Sequence, residues 1–338
     1  MKIGLFTQFR EPELAEAAVK SCQKLGVDYE VVDILSSDWM EKVRNSGCDG
    51  FFCTSTCVSP ELKTLLDERY YFVSQVMKYP IYPDFKGLYI HESKRNMATF
   101  LELYAYPHAK TSVFTNIKEA LEYIDGCQFP LVTKCNVGSG AAKVIILKNR
   151  SAARRMAKRC IDISYINFLK PGFAYRMRFK HSFIPRVHDI RNRQKDYLIL
   201  QEFVKDVLHE WRIIKIGDSY FGHQKLKKDG FASGSGLVGW VAPPRELLDM
   251  VRELCDKGGF RCMDVDIFET ADGRYVINEL QASFGSYSDY QMSIDGHHGR
   301  YVWRDGDYHF EEGDFNIYRS LYIQIEDFVR VLSNTKDR

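Results

Sequence analysis

The stretch FRCMDVDIFETADGRYVINELQ, residues 260–281, includes four oxygen-bearing side chains, Asp264, Asp266, Glu279 and Gln281, spaced to meet within one apparent hairpin. Asp272-Gly273 is a strong turn signal between two strand-like runs. Centring the turn there sets Asp266 opposite Glu279 and Asp264 opposite Gln281. Side chains alternate along a strand, and opposed partners share a face, so all four groups converge on one patch. The other face (Met263, Val265, Ile267, Val276 and Leu280) is apolar and fixes the register. Opposed carboxylates destabilise a sheet unless something neutralises them. Oxygen donors suit a hard cation such as Mg²⁺, which binds through one or two carboxylates together with nucleotide phosphates. The competing reading is a solvated acidic face, which the apolar opposite face disfavours. On this register Asn278 points with the apolar residues and has no role.

A second group could hold the phosphates. FPLVTKCNVGSGAAKVIIL (129–147) reads as a strand, a small-residue loop and a second strand, with Lys134 interrupting the apolar run. Gly138-Ser139-Gly140-Ala141-Ala142 can bring backbone N–H groups close to an anion. It is not a P-loop, because no GK[ST] follows and the next element is a strand. Alone, it reads equally as a hairpin tip.

The elements that must position these groups begin with a strand–helix alternation. KIGLF (2–6), YEVVDI (29–34) and GFFCT (50–54) are strands. Pro12 starts the first helix and Gly26 ends it, and Ser59-Pro60 opens another. Such alternation implies a parallel sheet covered by helices. The loop after KIGLF lacks GxGxxG, so a Rossmann dinucleotide site is not expected. A break falls at KYPIYPDFKG (78–87). Helices follow from Ser93 and Asn116, then strands in YLILQEFV, EWRIIKIG and SYFGHQKL (197–226). A long helix, PPRELLDMVRELCDKGG, precedes the hairpin, and the tail from Asn316 to Leu332 reads as helical. Residues 165–197 interleave basic and aromatic side chains without periodicity. Lys170, Arg176, Arg178, Lys180, Arg186, Arg191 and Arg193 could bind an acidic acceptor there, with a solvated basic loop equally consistent. His297-His298 could cover the site or sit at a turn, and the turn is the expected reading.

Composition narrows the class. The chain has 338 residues, 45% hydrophobic and 27% charged, enough for two or three domains. A formal net charge of +2 offers no global attraction to nucleic acid or membrane surface. Nine cysteines without a CxxC pair or zinc spacing point to a reducing cytoplasm. No apolar run approaches the ~20 residues of a membrane span.

The order of Lys134 with its glycine loop, LILQEFV, EWRIIKIG and the carboxylate hairpin resembles the ATP-grasp superfamily. The likeness is to its carboxylate–amine ligases, related to ribosomal-protein glutamate ligase and D-alanine ligase, and covers roughly residues 90–285. It implies an α/β N-terminal domain (1–90) followed by a two-subdomain α+β ATP-grasp fold (91–160 and 161–338), with ATP lying between the subdomains. By that resemblance Lys94 and Lys134 are phosphate lysines, and the loop of Gly138, Ser139 and Gly140 closes over the phosphates. Gln201, Glu202, Phe203 and Val204 form the adenine-binding segment, and Glu210 is a candidate ribose contact. Asp266, Glu279 and Gln281 match the metal ligands, with Gln where the family has Asn. Asp264 stands where the dipeptide-ligase branch has an intermediate-stabilising Arg, so Arg212 or Lys225 would take that role.

The resemblance implies an amide-forming reaction. ATP, with two Mg²⁺ (or Mn²⁺), phosphorylates a carboxylate. An amine then displaces phosphate from the acylphosphate. The carboxylate is a small molecule, glycan or peptide, and a homodimer is left open. An ATP-grasp phosphotransferase and a non-catalytic nucleotide-binding module are the competing readings.

Overall fold

A computed structural model describes residues 1–7, 12–54, 59–138, 144–161, 194, 196–227, 236–286 and 288–336. Ser139, Gly140 and the basic–aromatic residues 165–193 lie outside the described residues. In chain order the first elements are β1 (Lys2–Thr7), α1 (Pro12–Leu25), β2 (Asp28–Asp33), α2 (Trp39–Asn45), β3 (Gly50–Cys53), α3 (Pro60–Tyr71), β4 (Ile81–Tyr82) and α4 (Phe85–Ile90). There follow α5 (Lys94–Leu103), β5 (Thr111–Phe114), α6 (Ile117–Gly126), β6 (Leu131–Thr133), β7 (Ile145–Leu147), α7 (Arg150–Ile161) and β8 (Leu198–Glu202). The last are β9 (Val207–Ile216), β10 (Ser219–Lys225), β11 (Val238–Gly239), α8 (Arg245–Gly258), β12 (Cys262–Thr270), β13 (Tyr275–Gln281), β14 (Ser293–Ile294), β15 (His297–Arg304), β16 (Asp307–Glu312) and α9 (Leu321–Lys336).

Contacts divide the chain into two compact units. One comprises Met1–Thr56, Thr64–His91 and Leu208–Arg338, and the other Cys57–Lys63 and Glu92–Val207. The N-terminal α/β segment therefore shares a unit with the C-terminal strands. In this larger unit β2-β1-β3-β4 is a parallel sheet, as the strand–helix alternation implies. A second sheet runs β13-β12-β9-β10-β15-β14, with β11 on β10 and β16 on β15. One core joins the two sheets: Ile3, Leu5 and Phe52 from the first pack with Ile214, Ile216, Phe221 and Cys262 from the second, and with Leu321, Ile325 and Phe328 of α9.

The smaller unit holds the sheet β5-β8-β6-β7. Phe114, Leu131, Leu147, Leu198 and Leu200 pack from this sheet onto Ala120 and Ile124 of α6 and Ala153 and Ala157 of α7. Local caps set the helix starts. The Asn116 side chain accepts from the Lys118 and Glu119 N–H groups, and Ser93 accepts from Asn96.

Three local readings change. The tail helix starts at Leu321 rather than Asn316, because Tyr318, Arg319 and Ser320 all have positive φ (51°, 61° and 66°). His297 and His298 open β15 instead of forming a turn; the turn is Asp295-Gly296, and Asp305-Gly306 makes a second. The third change is in the hairpin. β12 and β13 pair Asp264 with Gln281 and Asp266 with Glu279, as expected. Nearer the turn, however, Ile267 pairs with Ile277 and Phe268 with Val276, so Asn278 is the extra residue of a β-bulge. Ile277, not Val276, then shares the apolar face with Val265 and Leu280.

β10 carries a glycine for a packing reason. A Cβ on Gly222 would lie 2.7 Å from Cβ of Pro243 and 3.0 Å from Cδ1 of Ile213. Gly222→Ala is expected to lower the unfolding free energy by about 1–3 kcal/mol, read as a lower Tm in thermal melts. An unchanged Tm would contradict this packing.

Candidate active site

Strands β12, β9 and β10 lie side by side, and each contributes charge to one face. β12 supplies Asp264 and Asp266, β9 supplies Glu210 and Arg212, and β10 supplies Lys225. Glu210 pairs directly with Lys225 in the β9–β10 ladder. The three carboxyls are at most 2% exposed, so each depends on its partners. Arg212 grips Asp266 with two bonds, Nε to Oδ1 at 3.0 Å and a terminal nitrogen to Oδ2 at 3.2 Å. The same Nε is 3.1 Å from Asp264 Oδ2. Lys225 Nζ donates to Asp266 Oδ2 at 2.7 Å and pairs with Glu210 at 2.6 Å. Glu210 also accepts from the Asn278 amide at 2.6 Å.

That last bond explains the residue the sequence left without a role. Regular pairing would send Asn278 to the apolar face. The bulge re-aims its amide at Glu210 instead. No periodicity rule signals a bulge, and only the buried Glu210 on a distant strand reveals its use.

Burial and neighbours separate these carboxyls. Burial alone would push Asp266 up, but Arg212 and Lys225 outweigh it and hold its pKa well below the usual carboxylate range. Burial pushes Asp264 up to about 8, with the Asp266 charge adding to it and Arg212 opposing. Glu210 is pushed up to about 7 by burial and by Asp266, against the pull of Lys225. Burial works against the Arg212 charge, yet Asp264 and Asp266 reverse that and raise its pKa. Both oxygens of Asp264 are buried without a hydrogen bond, so its contact with Arg212 is an ion pair of poor hydrogen-bond geometry.

Glu279 and Gln281 are half-buried on the same hairpin face as Asp264 and Asp266. Among the described residues no three His, Cys, Asp or Glu side chains are grouped to hold a metal. Arg212 and Lys225 supply the neutralising charge to Asp266 instead. The donor set nevertheless fits a hard cation: Asp266, Glu279 and Gln281 offer only oxygen, and Asp264 has unsatisfied oxygens beside them.

The smaller unit gathers the residues assigned to phosphate. Lys94 is the first residue of α5, buried, and its Nζ donates to the Gly138 carbonyl at 2.7 Å. The Gly138 N–H donates to Glu92 Oε2 at 3.1 Å, and that oxygen is 3.9 Å from Lys94 Nζ. Gly138 has φ of 143°, which favours glycine. Lys134 is buried just beyond β6. Glu92, buried and with φ of 56°, was not singled out in the sequence. Gln201 and Glu202 end β8; Gln201 bonds Thr111 at 2.8 Å and the Glu202 N–H goes to Lys110. Phe203 and Val204 lie past the ladder. Glu210, the candidate ribose contact by resemblance, lies in the carboxylate cluster of the larger unit.

No protein-family model matches the chain. A curated relative, the alpha-aminoadipate–LysW ligase LysX of Saccharolobus solfataricus, is 25% identical over 215 residues, 62% of this chain and 68% of its own. Among solved structures, the D-cycloserine synthetase DcsG aligns over 98% of this chain and all of its own, with a TM-score of 0.61 and 15% identity. An ADP complex of purK, an N5-carboxyaminoimidazole ribonucleotide synthetase, aligns over 88% and 75%, with a TM-score of 0.59 and 14% identity. A RimK-domain ATP-grasp protein from Sphaerobacter thermophilus aligns over 83% and 90%, with a TM-score of 0.50 and 13% identity. The structural likenesses show that the chain has the fold of these ATP-dependent enzymes, and in sequence it is similar, at 25% identity, to a ligase.

Proposed function

We propose that the chain is an ATP-dependent carboxylate–amine ligase that forms an amide through an acylphosphate and releases ADP and phosphate. The observation that carries this reading is the oxygen-only face of the β12–β13 hairpin, in a chain with this fold and this sequence relative. A substrate carboxylate oxygen attacks the γ-phosphorus of ATP, and the bond to the β-phosphate oxygen breaks. The amine nitrogen then attacks the acyl carbon, and phosphate leaves with the bonding electrons.

Each residue has a role in that sequence. Lys94 and Lys134 act as point charges on the phosphates, with Gly138 and the residues after it offering backbone N–H groups. Gln201 to Val204 receive the adenine. Asp266, Glu279 and Gln281 would hold Mg²⁺, as two ions, which when bound offset the charge of the transferring phosphoryl group. Arg212 and Lys225, both bonded to Asp266, stabilise the oxyanion of the tetrahedral intermediate. Water exclusion protects the acylphosphate, so no side-chain nucleophile is required. The reading also supports a protein acting in the cytoplasm on a small or peptide carboxylate. Among the described residues no helix is long and apolar enough to cross a membrane.

Two measurements test this. ADP release is screened over carboxylates crossed with amines, starting from amino-dicarboxylates such as α-aminoadipate, the acid in the relative's name. With hydroxylamine as trap, the active carboxylate should yield a hydroxamate. ADP release without hydroxamate would indicate phosphoryl transfer to a hydroxyl instead. Asp266→Asn combined with Glu279→Gln should cut carboxylate-dependent ADP release by about 10²-fold or more. Unchanged turnover in that double variant would sink the metal assignment.

A further inference from the structure

His223 of β10 pairs directly with Arg212 of β9. Opposed residues share a face, so His223 lies on the same face as Lys225, two positions on, and as the carboxylate cluster. It is 5% exposed. Its Nδ1 lies 2.8 Å from the Gln291 carbonyl oxygen. A carbonyl only accepts, so Nδ1 carries the proton and Nε2 presents a lone pair. Among the described residues, no hydrogen bond reaches Nε2. Burial lowers the ring's pKa to about 4, against the Gln291 bond and with Arg212 assisting, so it is neutral at pH 7. Trp240 packs tilted on the imidazole with centroids 5.4 Å apart, Tyr290 lies 4.6 Å from Trp240, and His298 stacks on Tyr290 at 4.4 Å.

A buried neutral acceptor beside two cations and a wall of rings suits one kind of group. An ammonium could also donate to Nε2, but it has no lone pair with which to attack the acyl carbon. A neutral amine can donate an N–H to Nε2 and keep its lone pair for attack. We propose that His223 Nε2 seats the nucleophilic amine, a primary amine whose carbon skeleton lies against Trp240 and Tyr290. The proposal rests on the ligase reading and assigns where its second substrate is held. In the step concerned, the amine lone pair forms the C–N bond and the acyl C–O bond breaks onto phosphate. The proton shed by nitrogen ends on the departing phosphate, so no further reactant is needed. His223 positions the nucleophile.

Two amide substitutions separate this role from a structural one. His223→Asn places a donor near the Nδ1 position, preserving the bond to Gln291, with nothing at Nε2. His223→Gln places an amide oxygen near Nε2 and lacks the Nδ1 donor. The probes are hydroxylamine at saturation, which traps the acylphosphate, and a panel of the twenty amino acids and glucosamine as amines. In His223→Asn, hydroxamate formation should stay within about twofold of wild type, while kcat/KM for the best amine falls about 10- to 100-fold. His223→Gln should recover most of that loss. The proposal is overturned if His223→Asn matches wild type with the amine, if it loses hydroxamate and amide formation equally, or if His223→Gln is no better. Wild-type protein that gives no hydroxamate with any carboxylate overturns the ligase reading, and the amine seat with it.

Discussion

Three buried carboxyls and two half-buried cations share one face of the larger sheet, and their charges must balance. Glu210, Asp264 and Asp266 cannot all ionise against Arg212 and Lys225 without leaving one negative charge uncompensated in a site that water scarcely reaches. The opposing pushes on their pKa values express this constraint. Asp266, held by both cations, keeps its charge, whereas Asp264 and Glu210 are both driven upward. A single retained proton makes the cluster neutral. A divalent cation among these oxygens would meet the same requirement from the other side, displacing protons as it bound.

That balance depends on strand order. Carboxylates on β12 meet cations on β9 and β10 only because β9 lies between the other two. The face carrying the cluster is also the face that packs the core. Cys262 and Asp264 are two apart on β12, Ile214 and Arg212 on β9, and Phe221 and His223 on β10; the first of each pair is in the apolar cluster under β1 and α9. Core and site are thus consecutive positions on the same strands. Slipping any of these strands by one residue would lose apolar packing and charge pairing together. The register is therefore enforced by the hydrophobic core, and the core supports a charge cluster that would be costly alone.

Much of this was legible in the sequence because it is local. The Asp272-Gly273 turn and period-2 alternation gave the Asp264–Gln281 and Asp266–Glu279 pairs, and caps at Ser93 and Asn116 marked helix starts. What was missed is non-local or breaks periodicity. The bulge at Asn278 adds one residue to one strand, which no alternation rule anticipates. Glu210 reads as an isolated polar residue on β9 until Lys225 is paired opposite it. The division into units follows the packing of α9 against β1 and β3, a contact between the two ends of the chain. The delayed start of α9 comes from three successive left-handed residues without a glycine among them, so composition carries no warning.

His223 shows most clearly why site and fold must be read together. A lone histidine in an apolar strand is ordinarily a core residue satisfied through one nitrogen. Its Nδ1 does bond the Gln291 carbonyl, which would complete that ordinary account. The pairing with Arg212 changes the reckoning, because a buried imidazole beside a guanidinium is held neutral by both desolvation and like charge. The Gln291 bond then does more than satisfy a polar atom: it fixes the tautomer and leaves the other nitrogen as a pure acceptor. Ligation needs cations to manage carboxylate and phosphate charge, and an acceptor to position the amine. A neutral acceptor set among those cations answers both demands on one face of one sheet.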